Sequence, residues 1–193
     1  HINLSQSTND AYPTPIKLAL LQMNETLVDK VKKIVLAFRE KGEEFQDVIK
    51  MGRTQLQDAV PMTLGQEFEA FAATLEEDIE KLNNNANLFV EVNMGATAIG
   101  TGLNAPLGFA ERCAGNLAEI TGYPIVSAPN LVEATPDTGS YVIYSSAMKR
   151  LAVKLSKICN DLRLLSSGPR SGFYEINLPP MQPGSSIMLG KVN

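Results

Sequence analysis

The sequence predicts an all-α protein, an elongated bundle of long helices, and three observations carry that expectation. Three segments, each longer than about 25 residues against a usual helix mean of about 11–12, place apolar residues three or four apart. Polar connections rich in Gly and Pro separate those segments. The best strand material, Val90, Val92 and Ile99, is interrupted by Gly95, Gly100 and Gly102, so no good strand is expected.

The first helix is expected from Pro15 to Lys50, with a stripe of Leu20, Met23, Leu27, Val31, Ile34, Phe38, Phe45 and Ile49. Pro13 and Pro15 stand where a helix can start but not continue. The second is expected from Thr63 to Glu91, opened by the capping box Thr63-Leu64-Gly65-Gln66 and striped by Phe68, Phe71, Leu75, Ile79 and Leu82. A shorter helix is expected over Phe109 to Thr121. The third long one is expected from Ser140 to Ser167, through Met148, Leu151, Leu155, Ile158, Leu162 and Leu165, stopped by Gly168-Pro169. Heptad regularity is imperfect, which disfavours a simple two-stranded coiled coil. Between the helices lie irregular polar segments, 3–12, 52–62, 93–104, 133–140 and 168–193. In a bundle such segments gather at helix ends, where backbone N–H groups are free for anions.

Composition narrows the partners. With 193 residues, 44% hydrophobic and 20% charged, the chain is one domain or a large piece of one. A net charge of −4 gives no reason to expect nucleic acid or an anionic membrane, so a small anionic substrate needs local positive charge and amide donors. Cys113 and Cys159, far apart and without a metal-ligand pattern, read as reduced thiols buried in helices of a cytoplasmic protein. No apolar run reaches the roughly 18 residues of a membrane span, and no secretory signal is present.

Three segments hold the residues suited to chemistry. In Gly184-Ser185-Ser186-Ile187-Met188-Leu189-Gly190-Lys191-Val192-Asn193, glycines allow a closing flap, Lys191 brings a point charge, and Asn193 brings a donor and an acceptor. Ser185 and Ser186 offer hydroxyls that donate to a carboxylate or, once ionised, take a proton; a Gly/Ser linker would share this composition. Ser5-Gln6-Ser7-Thr8-Asn9-Asp10 reads equally as a binding site or as capping and turn formation. In Gly52-Arg53-Thr54-Gln55-Leu56-Gln57-Asp58, Thr54 and Gln55 suit a ligand, whereas Arg53 and Asp58 read as an ion pair bracing the loop. The only histidine is His1, and no metal-binding cluster, phosphate loop or serine–histidine pair is visible. Hydroxyls, amides and one lysine remain, a set suited to removing a proton beside a carboxylate, whose dianionic form needs donors already in place.

Taken together, these segments resemble the fumarase/aspartase superfamily, and within it the aspartases (aspartate ammonia-lyases). The resemblance rests on 5–14, 52–61, Gly100-Thr-Gly-Leu-Asn104 and Gly184 to Met188 with Lys191 and Asn193, in that order along the whole chain. Fumarases are similar but carry Gly-Arg-Thr-His in the second motif, where this chain has Gln55; the stretch 157–170 also looks more like aspartase. The resemblance implies reversible elimination of ammonia from L-aspartate to give fumarate. It implies Ser185 as the base at C3, with Ser7, Thr8 and Ser186 on the β-carboxylate and its aci-form. Thr54, Lys191 and Asn193 would bind the α-carboxylate and Asn9 the amino group, with Gln55 where some relatives place histidine. It further implies a homotetramer in which each site draws motifs from three subunits. No cofactor is required, and a divalent metal such as Mg helps some members, though no ligand cluster here predicts one. The chain, opening at His1 on one motif and stopping at Asn193 in another, reads as a piece of the central helical domain. It would start at the end of an N-terminal domain and stop in the active-site loop, and alone it is expected to be inactive. Leu189 departs from the family's proline and would make the loop more flexible. A fumarate hydratase and a non-catalytic helical scaffold are the alternatives.

Overall fold

Three long helices dominate the computed structural model, which describes residues 1–188, 190 and 191. They are α2 (Pro13–Glu44), α3 (Leu64–Ala86) and α6 (Gly139–Leu165), with α3 packed between the other two. Short helices α1 (Thr8–Ala11), α4 (Phe109–Thr121) and α5 (Leu131–Ala134) lie in the connections, and the expected helix at 109–121 is realised residue for residue. The all-α expectation holds for the mass of the chain.

The buried face of α2 is more regular than the sequence suggested. Thr14, Lys17, Leu21, Asn24, Val28, Val31, Val35 and Gly42 are buried, and Phe38 and Phe45 pack against the core. These positions alternate steps of three and four throughout, a heptad seam. Hydrophobicity alone hid it because Thr14, Lys17 and Asn24 occupy seam positions. Met23 and Ile49, placed in the predicted stripe, are exposed instead, and Ile34 is partly so. The buried polar seam residues are partnered: Asn24 Nδ2 donates to Asn83 Oδ1 (3.1 Å), and Tyr144 Oη donates to Asn24 Oδ1 (3.1 Å), tying α2, α3 and α6.

α2 ends at Glu44, six residues before Lys50. The chain then forms an antiparallel hairpin, β1 (Ile49–Thr54) and β2 (Gln57–Thr63), where an irregular loop was expected. Its strands are largely exposed, so no alternation of burial marked them, and its turn lacks the usual Asn-Gly signal. Thr63 Oγ1 then accepts from Gln66 N while Gln66 Oε1 accepts from Thr63 N, realising the expected capping box. Here α2 and α3 approach so closely that a Cβ on Gly65 would meet Gly42 O at 2.4 Å. Phe38, Phe45, Phe68 and Phe71 fill this end edge-to-face, with centroids 5.4–6.0 Å apart.

At the other end, α3 passes through a 3-10 turn (Asn87–Val90) into β3 (Glu91–Val92), which pairs in parallel with β4 (Val126–Ser127). That two-residue ladder is the strand the glycine pattern concealed. Both cysteines are free and on helices, but Cys113 is half-buried and Cys159 exposed, contrary to the expectation of burial. Burial pushes the Cys113 thiol up in pKa. Among the described residues no helix is long and apolar enough to cross a membrane.

Candidate active site

The predicted site residues fall at two ends of the bundle. Ser7, Thr8 and Asn9 sit where α1 leads into the start of α2; Thr54 and Gln55 sit in the hairpin beyond its end. The 32 residues of α2, at 1.5 Å each, put about 48 Å between those ends. One copy of the chain therefore does not bring its first and second motifs onto one small substrate.

The first end is built on hydrogen bonds. Ser7 caps α1: its Oγ accepts from Asn9 N (3.2 Å), which leaves the hydroxyl proton free to donate outward. Asn9 Nδ2 donates to Ala98 O (2.6 Å) and Ser5 Oγ to Asn104 O (3.1 Å), so the polar motif is sewn to the 93–104 connection. Because a carbonyl only accepts, the Asn9 amide must point its nitrogen at Ala98, leaving Oδ1 as an acceptor on an exposed side chain. An open cleft of about 960 Å³ lies alongside, lined in part by Ser5, Ser7, Thr97, Ala98 and Asn104. Of the two readings of Ser5–Asp10, capping is realised, and the segment also lines the cleft.

The second end is built on charge. Thr54 closes β1 opposite Gln57, and Gln55-Leu56 make a two-residue turn with φ of 52° and 63°. Left-handed backbone at two non-glycine residues is strained, and such strain concentrates at functional sites. Gln55 and Leu56 line a cavity of about 310 Å³ with Lys50, Arg53, Glu67 and Lys157. The expected Arg53–Asp58 pair exists at 3.8 Å, but Asp58 is exposed and the strong partner is Glu175, from the segment after α6. Glu175 also pairs with Lys50 (3.3 Å), which pairs in turn with Glu67, and Arg53 stacks over Phe173 at 4.0 Å. Burial pushes the Glu175 carboxyl up, but the Arg53 hydrogen bond and the Lys50 charge outweigh it and hold it below the ordinary carboxylate range. The same hydrogen bond raises Arg53.

The 184–191 turn closes on itself. Gly184 N donates to Lys191 O (2.9 Å) and Lys191 N to Met188 O (3.0 Å). Ile187 N donates to Ser185 Oγ at 3.2 Å, a bond that strengthens if that oxygen loses its proton. Ser185 is half-buried, and Ser186 and Lys191 are exposed. No hydrogen bond joins this turn to Ser7, Thr8, Asn9, Thr54 or Gln55 among the described residues. Asn193 and Leu189 lie outside the described residues. Among the described residues no group of three or more His, Cys, Asp or Glu is placed to hold a metal ion.

Sequence reasoning missed Asp10, which is fully buried, and Glu175. Asp10 has one local partner, Ser7 N, in a capping box, but its other donors, Gly95 N and Thr97 N, lie 85 and 87 residues away, and Arg53 lies 122 residues from Glu175, beyond the reach of a local pattern.

Across all of its length the chain is 61% identical to an aspartate ammonia-lyase of Pseudomonas aeruginosa and 58% identical to one of Escherichia coli K12, covering 41% and 40% of those proteins. A crystal structure of a Brucella melitensis protein described as fumarate lyase:delta crystallin, bound to cobalt, superimposes with a TM-score of 0.92 at 60% identity. That match covers the whole of this chain and 42% of the other. A class II fumarase of Schistosoma mansoni gives a TM-score of 0.93 at 35% identity, again over the whole chain and 44% of the fumarase. The chain thus spans about two-fifths of the length of the curated relatives it matches. The sequence model of the family described as Lyase matches residues 1–193, and the chain belongs to that family.

Proposed function

We propose that this chain is the central part of an aspartate ammonia-lyase, which eliminates ammonia from L-aspartate to give fumarate and runs the reverse addition. The observation that carries the reading is the identity contrast: 58–61% to aspartate ammonia-lyases against 35% to the fumarase, each along the whole chain. Asn9 supports it, since an amide oxygen turned outward suits a substrate ammonium.

In this reading Ser185, as alkoxide, takes the C3 proton. The Ile187 N–H and the Lys191 charge stabilise that alkoxide. The C–H electron pair moves into the β-carboxylate, which becomes a dianionic aci-form held by the hydroxyls of Ser7, Thr8 and Ser186. Thr54, Lys191 and Asn193 hold the α-carboxylate, and Gln55 lies near the amino group. Collapse of the aci-form then breaks the C–N bond and releases ammonia. The chemistry uses no cofactor, and no step passes through a metal.

The separation along α2 supports a homotetramer whose sites take motifs from different copies. So do exposed apolar residues on helix faces, Met23 on α2 with Val142, Met148 and Val153 on α6. The 193-residue chain by itself is expected to release no ammonia from L-aspartate, and normal turnover by it would contradict this assembly. We place the enzyme in the cytoplasm, acting on a small dicarboxylate.

The test is Ser185→Ala in the full-length protein. We expect a loss of at least about 10²–10⁴-fold in rate with the tetramer intact by size. Retained activity removes the serine base. Turnover of L-malate rather than L-aspartate by the unsubstituted protein would make it a fumarate hydratase, and turnover of neither would leave a scaffold.

A further inference from the structure

Asp10 is fully buried, yet its carboxylate meets three backbone donors and no cation among the described residues. Oδ1 accepts from Ser7 N at 2.8 Å, and Oδ2 accepts from Gly95 N at 3.1 Å and Thr97 N at 2.9 Å. One side chain thus joins the start of the Ser7–Asn9 motif to a turn some 85 residues later.

That turn does not hold its shape by preference. Thr97, a β-branched residue, has φ of 58°, and its buried Oγ1 has no hydrogen-bond partner among the described residues. Gly95 has φ of 95°, and a Cβ there would meet Ala110 at 2.7 Å. The residue after Thr97 is Ala98, whose carbonyl accepts the Asn9 amide nitrogen at 2.6 Å. From the other side, Asn93 Nδ2 donates to Asn9 O at 3.0 Å.

We propose that Asp10 is a positioning residue for recognition of the substrate's ammonium group. By latching the strained 95–97 turn it holds the Ala98 carbonyl against Asn9 and so keeps Asn9 Oδ1, an acceptor, facing the substrate. With the turn released, the amide loses the carbonyl that orients it, and its flipped form presents an –NH₂ to a cation. The inference rests on the proposed reaction only in assigning Asn9 to the amine; the latch itself is geometry.

The experiment uses the full-length protein with L-aspartate as substrate and succinate, which has both carboxylates but no amine, as inhibitor. Asp10→Asn keeps the size but places an –NH₂ against either Ser7 N or the 95–97 amides. The KM for L-aspartate is expected to rise about tenfold or more, the effect of one hydrogen bond to a charge, while the succinate inhibition constant moves by less than about twofold. Equal weakening of both ligands, or of neither, overturns the proposal. If D10N does not fold, Asp10→Glu keeps the charge but sets its oxygens one methylene away from their places against the 95–97 amides, and so loosens the same turn. It should give the same split at about threefold, a change of under 1 kcal/mol, and unaltered L-aspartate binding there overturns it. An unsubstituted protein that ignores L-aspartate counts against the reaction, not against the latch.

Discussion

The two ends of the bundle are held by different physics. At the Asn9 end a carboxylate with backbone amides for partners organises the chain, and the contacts are short, directional and mostly buried. At the Gln55 end a network of Lys50, Glu67, Arg53 and Glu175 braces a hairpin whose strands are largely exposed. Both ends hold left-handed non-glycine residues, Ser5, Thr97 and Asn104 at the first and Gln55, Leu56 and Tyr174 at the second. Each end thus keeps strained backbone in place, one by a shape-specific latch and the other by charge that titrates.

The largest effect tests whether the ends serve one site across copies. Asn9→Ala and Thr54→Ala should each abolish most of the activity of the full-length protein. Refolded together in equal amounts, the two variants are expected to regain about one quarter of the activity, because random assembly gives that share of sites both intact motifs. Mixed tetramers with no activity would mean that both ends of one copy serve one site. A helix of 32 residues, about 48 Å long, forbids that for a small substrate.

How much of this was legible in the sequence differs between the ends for physical reasons. Thr63 and Gln66 signalled their capping box because both partners are three residues apart. Ser7, Thr8 and Asn9 stood out as a polar run, but Asp10 looked like one more member of it; its burial depends on amides 85 residues away. The hairpin was invisible because Gln55-Leu56 break the turn rules and its apolar residues, such as Ile49 and Val60, face solvent. Arg53 was given the nearest acidic residue, Asp58, and the stronger partner came from 122 residues further on. Local rules found helices and caps; long-range pairing hid what holds the site.

The second effect is on the charged end alone. Glu175→Gln removes the charge shared by Arg53 and Lys50 and leaves one acceptor oxygen where there were two, and loss of a hydrogen bond to a charged group costs about 1.5–3 kcal/mol. Amide exchange should therefore quicken in β1 and β2 by about tenfold or more, near that range's lower bound, with the amides of Gly95 and Thr97 unchanged. Equal quickening at both ends would show that the ends are one cooperative unit and not two.

A third, gentler test uses pH. The Glu175 carboxyl is held below its ordinary value of 4.5 in the folded chain. Its stabilisation is therefore present in full above the unfolded value and is lost as pH falls through the lower, folded one. Hairpin protection, the intrinsic exchange rate at each pH divided by the observed one, should be flat from neutrality down to about that ordinary value and then fall, and in E175Q this acid limb should shrink. An acid limb of equal size in both proteins would assign it to other carboxylates.

The smallest expected effect concerns the turn itself. Leu56 adopts φ of 63° while mostly exposed, so replacing it with glycine removes a left-handed penalty and little packing. Leu56→Gly should stabilise the hairpin by about 1 kcal/mol, read as slower amide exchange in β1 and β2. If the strain at Gln55-Leu56 serves to aim Gln55, the same variant should lose rate as it gains stability. A variant that gains stability with no loss of turnover would show that the charged network alone fixes Gln55 and that the turn's strain has no part in catalysis.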